Sequence, residues 1–95
     1  MTSDQIIALP TEYEIQETIQ MLQTRLAEPA MNKPENTRVK HGYNKALDIL
    51  AQNQRDYAGI EKLQTTQARA IAMLAVDYLL GDCEQKVLVN VPIKA

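Results

Sequence analysis

Apolar residues at Ile15, Ile19, Leu22 and Leu26 fall on one stripe of a 3.6-residue period and predict a first amphipathic helix. Its start is marked by Thr11 and Glu14, spaced so that each side chain can satisfy the other residue's backbone N–H just after Pro10, and Glu28-Pro29 marks its end. A second stripe, Val39, Tyr43, Ala46, Leu47 and Leu50, predicts a second helix that frays near Asn53. Two starts fit it: Asn32 as cap with Pro34 in the first turn, or Asn36 or Thr37 as cap. Gly42 lies inside this helix. It is either a tolerated glycine costing about 1 kcal/mol or, the reading favoured by the well-formed helix around it, the point of a close crossing.

After a connector containing Asp56, Tyr57 and Gly59, a third helix is predicted from about Leu63 or Thr65 to Leu80, with Gly81 as its left-handed terminator. Between Ala70 and Leu80 every residue except Asp77 is apolar or tyrosine, which leaves no solvated face of ordinary width. Two short helices cannot cover so much apolar surface, so the excess predicts either a central position in the fold or an oligomer interface, the latter through Ile71, Leu74, Val76, Tyr78 and Leu79. The tail Val87-Leu88-Val89-Asn90-Val91 is rich in β-branched residues and stopped by Pro92, and it reads as a short strand. Its partner would be Gln5–Leu9, which reads equally as a helical turn, or the same tail in another subunit. The fold class expected is thus mostly α: one small three-helix domain over residues 1–95 with a short C-terminal β-strand.

Composition narrows the classes. At 95 residues, 45% apolar and a formal net charge of −2, the chain is too short for two ordinary domains and too apolar for disorder. There is no Phe or Trp, so four tyrosines and aliphatic side chains must fill the core, and a single cysteine supports no internal disulfide. The start Met1-Thr2-Ser3-Asp4 lacks a basic leader and no apolar run is long enough to span a bilayer, so a cytoplasmic protein without membrane partners is expected.

Candidate chemistry is sparse. His41 and Cys83 lie far apart with no orienting third group, the carboxylates lack metal-ligand spacing and there is no phosphate-binding glycine loop, so no catalysis, metal or cofactor is expected. Cys83 is flanked by Asp82 and Glu84, which disfavour a thiolate. Asp77 is the one charge in the apolar helix, expected at a solvent gap or in an ion pair. The informative feature is charge: residues 32–45 carry Lys33, Arg38, Lys40 and Lys45 against Glu35 in an otherwise acidic protein. Should the second helix start at Thr37, these cations crowd the positive end of its dipole, a conflict that a bound anion removes.

Two functional expectations follow. The first is an oligomeric interaction or regulatory module that binds itself and another protein, for instance as an inhibitor. The second is a protein that binds a small anion, a nucleotide or nucleic acid through Arg38, Lys40, His41, Tyr43 and Lys45, with the cations on phosphate and the tyrosine stacked on a base. An acidic isoelectric point near 5.3 disfavours a broad duplex-binding surface. In general style the chain resembles small proteins of bacteria, phages and mobile elements, a likeness that rests on no specific residue.

Overall fold

The computed structural model describes residues 8–95 and contains five α-helices and no strand among them: α1 (Glu12–Leu26), α2 (Thr37–Gln52), α3 (Tyr57–Glu61), α4 (Thr66–Leu79) and α5 (Gln85–Val89). Two short 3-10 turns, Pro29–Asn32 and Pro34–Asn36, link α1 to α2. The start of α1 is the expected capping box, with Glu14 N donating to Thr11 Oγ1 at 3.1 Å and Thr11 N donating to Glu14 Oε1 at 2.8 Å. Its end comes at Ala27, just ahead of Pro29.

The largest helix contact is between α2 and α4, and Gly42 sits in it. A methyl group on Gly42 would come within 2.7 Å of Ile71 Cβ and 3.0 Å of the Ala68 carbonyl, so the backbones approach more closely here than any side chain allows. Asn53, in the left-handed conformation, ends α2. The α4 helix stops at Gly81, at φ 79°, where Gly81 N donates to Tyr78 O and Asp82 N to Asp77 O in the Schellman pattern. One core cluster runs through the chain, with Leu22, Met31, Tyr43, Ala46, Ile49, Leu50, Ala72, Ala75, Val76 and Leu88 all but fully enclosed.

Two expectations are corrected. The connector after Asn53 forms α3, because the Asp56 side chain caps it by accepting from Gly59 N at 3.0 Å. The C-terminal run is not a strand: Gln85–Val89 is helical, and Val91 onward is neither helix nor strand. The reason is long-range. Tyr43 Oη donates to Leu88 O at 2.9 Å and accepts from Val91 N at 3.2 Å, while the Arg25 guanidinium donates to Val89 O and, at 2.7 Å, to Val91 O. Groups that a ladder would have paired are thus satisfied by side chains from α1 and α2, and short-range β-propensity loses to them. Further on, Asn36 accepts from Lys94 N at 2.8 Å and donates to Lys94 O and Ala30 O at 2.7 Å each, fastening the tail to the start of α2. Of the expected Gln5–Leu9 element, Gln5–Ile7 lie outside the described residues; Ala8 and Leu9 are exposed and form neither helix nor strand.

Candidate functional site

The start of α2 decides between the two readings left open by the sequence. It lies at Thr37, with Asn36 in the cap position but with its side chain turned to the tail, so no side chain caps the helix. The first turn carries no acidic residue and holds Arg38 and Lys40, with His41 next. Glu12 and Glu14, by contrast, stand in the first turn of α1, where a helix dipole favours them.

The same end of the molecule receives the start of α4, capped by Thr65, whose Oγ1 accepts from Ala68 N at 3.2 Å and whose first turn also lacks an acid. Between the two helix starts lies a cleft of about 700 Å³ walled by Glu35, Arg38, His41, Lys62, Thr65 and Gln67. Arg38 and Lys62 form no ion pair among the described residues. Glu35 is the only carboxylate on the wall, so two permanent cations and two positive helix ends face one acid. Chemically, such a cleft can hold a small anion by charge and by backbone N–H groups.

Of the five residues expected to bind, the fold brings together two, Arg38 and His41. Tyr43 is wholly buried, its hydroxyl spent on the tail and its phenol pushed to higher pKa by that burial, so it has no face for a base. Lys45 bridges Asp56 at 2.8 Å and Asp48 at 3.2 Å, and the bond to Asp56 raises its pKa while lowering that of Asp56. Lys40 donates to Asn32 Oδ1 at 3.0 Å. Lys62 and Thr65 join the cleft, Thr65 marked in the sequence only as a possible helix start and Lys62 not at all. Nothing local marks either for binding, since they share the cleft with Arg38 only through the convergence of α2 and α4.

A second depression adjoins the first. Ala70, Ile71 and Leu74 of α4 face Val87, Val91 and Pro92 across a groove of about 440 Å³ that carries no charged residue, and Gln67 lines both it and the basic cleft. The residues expected at a subunit contact are dispersed: Ile71, Val76 and Tyr78 are buried within this one chain, Leu74 and Leu79 partly so. Tyr78 is further held by a 2.9 Å hydrogen bond between its hydroxyl and that of Thr18. Helices α2, α5 and α3 pack against α4 and together cover much of its apolar excess.

Elsewhere, burial first, then Asp77 and Glu84, push the Cys83 thiol up, away from a reactive thiolate. No group of three His, Cys, Asp or Glu residues among the described residues could hold a metal ion, and no helix there is long and apolar enough to cross a membrane. No family model, curated protein or solved structure matches the chain.

Proposed function

We propose that this is a binding protein, without catalytic chemistry, that takes up an anionic group in the cleft between the starts of α2 and α4. The observation that carries the reading is the start of α2 at Thr37, which sets Arg38 and Lys40 against the positive end of their own helix dipole with no acid in that turn. Lys62 and the start of α4 add positive potential from across the cleft. An anion there relieves the repulsion and meets backbone donors at the same time. With Tyr43 buried, recognition falls on the charged group rather than on a stacked base, which favours phosphate or carboxylate over nucleic acid.

Thermal shift with inorganic phosphate, a nucleoside triphosphate and a glutamate-rich peptide tests the reading, because a ligand that binds only the folded state raises Tm by mass action. The expected result is stabilisation that Arg38→Glu and Lys62→Glu each remove and that Glu35→Gln strengthens, the last by about 2- to 5-fold in affinity, as exposed charges do. Stabilisation that persists unchanged in Arg38→Glu, or none with any anion, overturns it.

A further inference from the structure

We infer that the groove and the cleft together form the docking surface for a second copy of this chain, which enters with the exposed face of its α1. The inference rests on the anion-binding reading, with the α1 carboxylates as the anion. Because Gln67 belongs to both depressions, an occupant that fills them must be apolar along one part and acidic at the other. The chain itself carries such a face. Tyr13 and Met21 of α1 are 77% and 40% exposed, and Leu9 just before it is 67% exposed. Glu12 and Glu14 flank Tyr13 in sequence, with Glu17 one turn on. The sequence divides its charge accordingly: five acids against Arg25 over residues 1–31, four cations against Glu35 over residues 32–45.

The groove favours a helix over a flexible apolar chain. Ala70 is exposed and Val87 is 49% exposed on its two walls, so a thin occupant would stay half wet, whereas a helix brings its own cover. The contact joins unlike surfaces, α1 of one copy to α4 and α5 of the next, and such head-to-tail contacts close into rings or run on as chains. The apolar anchors are few, and the association expected is accordingly in the micromolar range or weaker, steered by charge.

Sedimentation velocity on the whole chain from about 1 to 300 µM, bracketing that range, provides the test. Expected is a mass that grows with concentration and falls on adding inorganic phosphate or raising salt toward about 0.5 M, where exposed charges are screened. Ala70→Arg and Tyr13→Lys, on opposite partners of the contact, each leave single chains. The double variants Arg38→Glu/Lys62→Glu and Glu12→Lys/Glu17→Lys are each single chains alone and associate when mixed, since each then offers the other complementary charge. Circular dichroism and melting of each variant, all changed at exposed positions, verify that it is folded. A wild type that stays a single chain throughout, variants that associate like wild type, or a mixture that does not associate overturns the inference. If phosphate stabilises a protein that never associates, only this inference falls; if phosphate neither stabilises nor disperses it, the anion-binding reading falls as well.

Discussion

Gly42 faces Ile71 across the α2–α4 crossing, and the three nearest atoms to an added methyl group all belong to α4. In an open helix Gly→Ala gains about 1 kcal/mol. Here overpacking, worth about 1–3 kcal/mol, opposes that gain because the Ala68 carbonyl cannot rotate aside. Gly42→Ala is therefore expected to lower stability by up to about 2 kcal/mol, read as a lower denaturant midpoint at unchanged slope. Asp77 shows the opposite kind of misfit. Burial first, and then Asp82, raise its carboxyl pKa, so the fold disfavours the charged form. For a carboxyl raised in the native state, stability falls as pH climbs from the ordinary carboxylate range through the native pKa. Asp77→Asn is expected to raise Tm at pH 7 by up to about 3 °C, the scale of ~0.5 kcal/mol in a domain this size, and the gain should vanish below about pH 4, where both forms are neutral. Melting curves at the two pH values check it.

At the scale of elements, the C-terminal segment depends on two residues distant in sequence. Tyr43→Phe keeps the ring in the core but removes the hydroxyl that serves Leu88 O and Val91 N, leaving the Val91 amide without its acceptor. A loss of about 1–3 kcal/mol is expected, with faster amide hydrogen exchange at Val91 and in α5 than in α2. The same bonds explain what the sequence could and could not reveal. Thr11 with Glu14, the Val39–Leu50 stripe and Gly81 act within a few residues of themselves, and each was readable. The tail reads as a strand on the β-propensity of Val87, Val89 and Val91 alone, whereas Tyr43 and Arg25, whose bonds hold it otherwise, stand more than 40 positions away. The site divides in the same way. Arg38 and His41 are legible as cleft candidates because they stand within one basic stretch of the sequence; Lys62, Thr65 and Glu35 complete the cleft by tertiary placement, and Tyr43 and Lys45 share the stretch yet point to the core and to Asp56.

Across the whole molecule, an apolar surplus on α4 became a core without aromatic rings other than tyrosine. Ile71, Ala72, Ala75, Val76 and Tyr78 are buried where α2, α3 and α5 pack on α4, at a radius of gyration of 13.3 Å, near the value for a folded chain of this length. The cover that two helices alone would not supply comes from α3 and α5, which the sequence presents as a connector and a strand. Around α4 the apolar side chains left in contact with solvent include Leu74 in part, Leu80 and, from α5, Val87 by half.

The sole cysteine, just past the α4 terminator and 8% exposed, offers a clock for this architecture. With so little of Cys83 exposed, a maleimide dye should label it faster whenever the bend between α4 and α5 opens, so the labelling half-time reports on that opening. Phosphate bound in the proposed cleft, at the far end of α4, should leave that half-time unchanged if the bend opens alone, and lengthen it if opening requires the entire chain to come apart.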